Sequence, residues 1–235
     1  MRILKKPLTA RISEIFSSIQ GEGIYAGEPQ IFVRFHGCNM KCVYCDTPSE
    51  AIPEEITLRS AIDKILYSNK SRVRTISLTG GEPLLHSDYL KALIPNLREK
   101  GYRIHLDTNG TLPDKLKEII DFVDVVAMDI KLPSSTDDKP LWGEHREFLS
   151  ISRSKDVFVK VVITSQTQES DFNRAVDLVE SIDRSIPFIL QPASPFRNFN
   201  TVPKTSVLIE WQRSAASKLR DVRIIPQLHK IWGLR

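Results

Sequence analysis

Along the chain, short apolar runs with a two-residue period alternate with stretches of helical period. The runs at 31–37 (IFVRFHG), 74–81 (RTISLTGG), 102–110 (YRIHLDTNG), 124–131 (DVVAMDIK), 156–164 (DVFVKVVIT) and 188–193 (FILQPA) read as strands. Between and after them, 53–69, 87–101, 112–122, a stretch around 140–151, 169–183 and 205–219 read as helices. Strand followed by helix, repeated in this way, predicts an α/β fold with a parallel sheet or barrel, and six units are too few to close an eight-stranded barrel. The stretches 132–140 and 192–204 read as long loops.

The unusual residues cluster at one end of each unit. Cys38 follows the first strand, TGGEP (79–83) ends the second, DTNG (107–110) the third, DIK (129–131) the fourth and QP (191–192) the last. Ligands of parallel α/β proteins bind at the carboxyl ends of the strands, so these residues are expected to share one mouth. The two-residue period also assigns faces. Ile31, Val33 and Phe35 turn toward helices and Phe32, Arg34 and His36 turn away; Ile76 and Leu78 oppose Thr75, Ser77 and Thr79. Arg34 and Thr79 then look inward. A buried guanidinium requires an anion, either a carboxylate of the protein or one of a substrate.

Composition changes this picture little. The 235 residues, 41% hydrophobic and 26% charged, suit one domain spanning 1–235 with a sizeable core. The N-terminal MRILKKPLTARISE lacks the apolar stretch of a secretory signal, and no run is long enough to span a bilayer, so a cytoplasmic protein without a membrane partner is expected. The net charge of +4 is spread among 29 acidic residues, which argues against a nucleic-acid partner and leaves an anionic small molecule compatible.

All three cysteines, Cys38, Cys42 and Cys45, fall in CNMKCVYC. Three clustered thiols in a reducing compartment point to metal rather than to disulfides. A C-x3-C-x2-C run converges three sulfurs from one segment, and the missing fourth ligand leaves a coordination position for substrate or cofactor. On spacing alone, a zinc knuckle completed by His36 or a distant histidine stays open, as does a non-catalytic zinc or nucleic-acid module.

CNMKCVYC with TGGEP forty residues later resembles the signature of the radical S-adenosylmethionine (SAM) superfamily. SSIQGEG (17–23), FVRFHGC, YCDT, TGGEP, LDTNG, DIK, QPAS (191–194) and PQLHKIWG (226–233) follow, in order and across essentially the whole chain, the pattern of the 7-carboxy-7-deazaguanine synthase family. Activating enzymes for protein substrates share the cysteines and GGEP, and they are the competing enzyme class. The resemblance implies a partial parallel β/α barrel of about six strands, commonly homodimeric. It implies conversion of 6-carboxy-5,6,7,8-tetrahydropterin to 7-carboxy-7-deazaguanine with loss of ammonia, in deazapurine or queuosine biosynthesis. The implied cofactors are a [4Fe-4S] cluster on Cys38, Cys42 and Cys45, SAM on its open iron, and Mg²⁺, with an external one-electron reductant of flavodoxin or ferredoxin type.

The resemblance also implies roles. Ile19, Gln20, Gly21 and Glu22 are similar to the substrate-binding segment, with the Gln20 amide reading the pterin edge and Glu22 accepting from its amino nitrogens. Arg34 would pair with the substrate carboxylate, Thr79 would add a hydroxyl, and His229 with the terminal Arg235 would close the mouth from the C-terminal segment. Tyr44, Cys45, Asp46 and Gly81 resemble the positions that contact SAM near the cluster. Asp129, Ile130, Lys131, Gln191, Pro192, Ala193 and Ser194 resemble those that hold its nucleoside. Thr47 would give a hydroxyl to Mg²⁺. Asp129 as a mere partner for Lys131, Asp107 and Asn109 as turn formers, and His229 and Lys230 as an exposed tail remain open alternatives.

Overall fold

The computed structural model describes residues 7–47, 52–69, 73–196 and 199–234. Its strands are β1 (Thr9–Ile19), β2 (Pro29–Phe35), β3 (Glu54–Thr57), β4 (Thr75–Gly80), β5 (Arg103–Thr108), β6 (Val125–Asp129), β7 (Asp156–Ile163), β8 (Phe188–Pro192) and β9 (Val222–Ile224). They form one sheet in the order β3-β1-β2-β4-β5-β6-β7-β8-β9. From β2 to β9 each strand lies parallel to its predecessor, whereas β1 and β3 add antiparallel at one edge. Because the order never reverses, all crossovers wind the same way, and the sheet curls as a barrel does rather than forming a doubly wound layer. β3 and β9 stand at opposite ends of that order, so the barrel stays open.

The helices are α1 (Leu58–Ser68), α2 (Ser87–Glu99), α3 (Pro113–Lys117), α4 (Pro133–Thr136), α5 (Trp142–Ser152), α6 (Glu169–Ile182), α7 (Thr205–Ala216) and α8 (Leu228–Trp232). α2 buries Leu90, Leu93, Ile94 and Leu97, and α6 buries Phe172, Ala175, Val176 and Val179, the spacing of a single helix stripe. These stripes meet Ile31, Val33, Ile76, Leu78, Leu106, Val126 and Val159 in the main core. A second, smaller cluster fills the opposite face: Val125, Ala127, Phe158 and Ile189, with Ile24 and Tyr25 packed onto it. The turn Gly23–Tyr25 after β1 thus plugs the barrel interior. Gly23 sits at φ +66, and a β-carbon there would lie 2.2 Å from the Phe158 ring, so only glycine lets the plug seat.

Four expectations need correction, the smallest being that 132–140, read as a loop, contains the single helical turn α4. β1 is an eleven-residue strand that periodicity missed, because its register shifts between Ile12 and Glu14. The extra residue breaks the alternation, moving the core face from Ala10 and Ile12 to Ile15. PEEIT is not helical: Glu54–Thr57 pair with β1, and α1 begins after Thr57, whose hydroxyl caps it by accepting from Ser60 N at 3.3 Å. Part of 112–122 forms only the short α3 and a 3₁₀ turn at Ile120–Phe122. No helix among the described residues is long and apolar enough to cross a membrane.

Candidate active site

A cavity of about 510 Å³ opens at the carboxyl ends of the parallel strands. β2, β4, β5, β6, β7 and β8 all contribute to its lining, as do β1, the cysteine loop and the segment around α8. The inward assignment of Phe32, Arg34 and Thr79 holds. His36, expected on the same face, does not line the cavity; it pairs with Ser13 Oγ at 3.4 Å.

Cys38, Cys42 and Cys45 all border the cavity. Two donors address the Cys38 sulfur: Met40 N at 3.4 Å and Asn109 Nδ2 at 3.8 Å. Burial pushes the Cys38 and Cys42 thiols up, so a bound metal is what would hold them as thiolates at neutral pH. Among the described residues no three His, Cys, Asp or Glu side chains stand at the spacing of one metal ion. His36, the proposed fourth ligand of a zinc knuckle, is turned to Ser13. Three thiols on one wall, the first with N–H donors to its sulfur, suit a cluster with an open iron better than a closed single-ion site.

The glycines of TGGEP serve this loop. A β-carbon on Gly81 would lie 2.0 Å from the Gly37 carbonyl oxygen and 3.0 Å from the Cys38 β-carbon, and one on Gly80 would lie 2.1 Å from Phe35 O. Gly81 N donates to Phe35 O at 3.1 Å and Glu82 N to Gly37 O at 2.8 Å. The glycines are where the end of β4 presses against the chain that presents the first cysteine. Below them, the buried Glu82 carboxylate accepts from Leu84 N at 3.0 Å, Asn109 N at 2.8 Å and Thr108 Oγ1 at 2.9 Å. Burial nevertheless pushes Glu82 up to about 7.

On the opposite wall, Arg34 has the carboxylate partner that the sequence does not reveal. Glu14, its cross-strand neighbour on β1, lies 3.6 Å from Nη1, and the guanidinium covers the Phe16 ring at 5.4 Å. Thr79, in register with Arg34 across the β2–β4 pair, donates to Asp107 Oδ2 at 3.2 Å. Ile19, Gln20, Gly21 and Glu22 border the cavity, but the Gln20 amide is engaged inside the protein: Nε2 donates to Gln30 Oε1 at 3.3 Å and Oε1 accepts from Glu22 N at 3.1 Å. That corrects its expected role as a side-chain reader.

Further round, Lys131 Nζ pairs with Asp129 Oδ2 at 2.7 Å and donates to Tyr44 OH at 3.4 Å. Burial opposes the charge, yet Asp129, Tyr44 and Cys42 hold Lys131 well above the ordinary lysine value, so the proton of the pair rests on it. Asp129 Oδ1 and Gln191 Oε1 are buried acceptors without a partner in the protein, and both residues line the cavity. Ala193 and Ser194 also line it. Ile130 does not: its side chain is fully buried in the main core. Pro192 lies off the lining as well.

The C-terminal segment folds over the mouth. Leu228 N donates to Gly21 O at 2.9 Å, and a β-carbon on Gly21 would strike His229 Nδ1 at 2.2 Å. Lys230 Nζ at 2.9 Å, Gln227 Nε2 at 3.3 Å and His229 Nε2 at 3.9 Å gather around Asp46 Oδ2. Against burial, His229 and Lys230 hold the Asp46 carboxyl well below the usual range. The Asp46 side chain is therefore spent on the cap, leaving its backbone for a cofactor. His229 and Lys230 are not an exposed tail; Arg235 lies outside the described residues. Thr47 borders the cavity, its hydroxyl donating to Gly80 O at 3.4 Å.

Sequence reasoning missed Glu14, hidden behind the β1 bulge, and Gln227, quoted in PQLHKIWG without being singled out. It also missed Lys160, although a lysine inside the apolar run VFVKVVI was a readable signal. Lys160 is 3% exposed, with Nζ 2.5 Å from Glu22 Oε2 and 3.2 Å from Asp107 Oδ1.

The radical SAM superfamily model matches residues 32–164. The chain is 36% identical to a 7-carboxy-7-deazaguanine synthase of Geobacter sulfurreducens, covering 95% of this chain and 97% of that protein. It is 35% identical to one of Methanothermobacter thermautotrophicus, over 97% and 99%. Among solved structures, QueE from Escherichia coli matches with a TM-score of 0.63 at 19% identity, over 94% of this chain and 95% of that one, a likeness of fold.

Proposed function

The chain belongs to the 7-carboxy-7-deazaguanine synthase family of the radical SAM superfamily, and on that premise we propose which residues of its mouth hold cluster, cofactor and substrate. It is a radical SAM lyase of 7-deazapurine biosynthesis that works with a [4Fe-4S] cluster and SAM. The substrate in this reading is 6-carboxy-5,6,7,8-tetrahydropterin, contracted to 7-carboxy-7-deazaguanine as ammonia leaves. Cluster and SAM together supply the radical that starts and ends the rearrangement; the chain supplies position and charge.

Cys38, Cys42 and Cys45 hold three irons, and Met40 N and Asn109 Nδ2 support the charge on the first sulfur. Tyr44 and the backbone of Cys45 and Asp46 flank the cofactor, with Gly81 clearing the loop. Asp129 Oδ1 and Gln191 Oε1, the unpartnered buried acceptors, take donors of the nucleoside. On the far wall Arg34 holds the substrate carboxylate, Thr79, whose proton goes to Asp107, offers its hydroxyl oxygen to the substrate, and Ile19 to Glu22 hold the pterin edge through backbone groups and the Glu22 carboxylate. His229 closes the mouth. Thr47 gives its hydroxyl to Mg²⁺, a hard cation that accepts few protein oxygens when substrate and water complete its shell.

The observation that carries this reading is the shared cavity: three thiols, two acceptors without a protein partner and one guanidinium open onto about 510 Å³ beneath the C-terminal cap. A covered mouth of that size favours a small molecule over the protein substrate of an activating enzyme. An external one-electron reductant and a homodimer belong to the same reading, the latter checked by light scattering. The test of the pocket is Arg34→Ala. Substrate affinity should fall about 30-fold or more, the loss of a charge-assisted pair, while SAM cleavage without substrate persists. Unchanged affinity would return Arg34 to a structural pair with Glu14.

A further inference from the structure

The assignments above leave Lys160 without a role. It is the inward-facing cation of β7, in register with Asp129 on β6 and Ile189 on β8. Its Nζ bridges two carboxylates of the mouth, Glu22 at 2.5 Å and Asp107 at 3.2 Å. The remaining carboxylate oxygens are also held: Glu22 Oε1 accepts from Gln227 Nε2 at 2.8 Å, and Asp107 Oδ2 from Thr79 Oγ1 at 3.2 Å. The other groups that act on this bridge are Asp129 and Lys131 from the end of β6 and His105 on β5. Burial would strip the ammonium of its proton, but Asp107, Glu22 and Asp129 hold it protonated far above neutral pH. The same ammonium keeps the Asp107 carboxyl low against burial, while burial brings His105 down to about 4, so that it carries no charge here at neutral pH.

This arrangement controls what the wall can recognise. Once the cation is gone, Asp107, whose carboxyl burial alone would push up, takes up a proton shared across the gap with Glu22. An ionised carboxylate only accepts hydrogen bonds, whereas a protonated one presents an O–H. The aminopyrimidinone edge of a pterin offers adjacent donors, a ring N–H and an exocyclic amine, and is matched by acceptors alone. Replacing that amine by a carbonyl puts an acceptor against an acceptor.

We propose that Lys160 is a positioning residue that keeps Glu22 and Asp107 as paired acceptors, and that it thereby selects a 2-amino edge over its 2-oxo counterpart. This rests on the pterin reading of the mouth. Lys160 itself touches the carboxylates and acts on substrate through them.

The test is anaerobic calorimetry of cluster-loaded protein with SAM, titrated with 6-carboxytetrahydropterin or with its 2-oxo analogue between pH 6 and 8. Wild type should prefer the amino compound by about a hundredfold or more, since a site built of acceptors rejects an edge that lacks the donor. That preference should vary little with pH. Lys160→Met should bind the amino compound about tenfold or more weakly at pH 6. Its affinity should recover as rising pH removes the shared proton, and its preference over the oxo compound should shrink. Lys160→Arg should restore the flat profile. Lys160→Met with wild-type affinity, preference and pH profile would overturn the proposal. Wild type alone gives a second check: titrations at pH 7 in buffers of different ionisation enthalpy should show no proton taken up on binding, and uptake of about one proton would overturn it. Wild type that binds neither compound would instead refute the pterin reading, and this inference with it.

Discussion

Replacing Gly81 by alanine tests how the second strand end builds the cluster site. The added β-carbon would lie 2.0 Å from Gly37 O, 2.5 Å from Gly37 C and 3.0 Å from the Cys38 β-carbon. Relief requires the Gly37–Cys38 backbone to retreat by about 1 Å, because non-bonded carbon and oxygen atoms seldom approach closer than about 3 Å. Two hydrogen bonds resist that retreat: Gly81 N to Phe35 O and Glu82 N to Gly37 O. Overpacking of this kind costs about 1–3 kcal/mol, a modest loss for a chain with this core. The larger effect falls on Cys38, since a displacement of about 1 Å is enough to spoil a catalytic geometry. Gly81→Ala should therefore fold, with a urea midpoint only slightly lowered, yet retain well under half of the wild-type iron and sulfide after anaerobic reconstitution. Absorption near the cluster's visible band and iron content per chain report the loss. A variant with full iron content and wild-type SAM cleavage would refute the packing role given to Gly81.

Two further predictions concern neighbouring groups. Glu82 sits at about 7 in the folded protein, against an ordinary value of 4.5, so the folded state binds more protons than the unfolded one between those limits. Stability from this group is present at low pH and is lost as pH rises from 4.5 to 7, by at most about 3 kcal/mol. Urea titrations of the apo protein at pH 5 and 7.5 should show wild type losing more stability with pH than Glu82→Gln, and equal slopes would contradict it. For Thr47, which donates only a long 3.4 Å bond to Gly80 O, alanine should keep the cluster but lose most of the rise in turnover on adding Mg²⁺. Equal turnover of wild type with Mg²⁺ and with chelator would remove the metal from this position.

The parallel core was legible because its strands obey one rule. Ile31, Val33 and Phe35, then Ile76 and Leu78, alternate cleanly, and their buried faces in the structure are the ones the alternation assigns. The mouth was legible because chemistry-bearing residues recur at strand ends. What escaped the sequence was whatever breaks periodicity or depends on long-range approach. The bulge in β1 hid Glu14, and with it the partner of Arg34. Gln20 reads as a side-chain ligand of the substrate until its amide is seen bonded to Gln30 and Glu22 N. Ile130 follows a strand end as its neighbours do, but alternation sends its side chain into the core while Asp129 and Lys131 face the cavity. Pairings across more than a hundred residues, such as Lys160 with Glu22 or Gln227 with Asp46, have no local signature.

The most direct measurement is a single anaerobic reaction of reconstituted protein, at about four irons per chain, with 6-carboxytetrahydropterin, SAM, Mg²⁺ and a one-electron reductant. Product, ammonia and remaining SAM are quantified together by mass spectrometry and an ammonia assay. The expected result is one ammonia for each 7-carboxy-7-deazaguanine formed, with many products per SAM consumed. SAM cleavage without any 7-carboxy-7-deazaguanine, from protein whose cluster is intact, would contradict it.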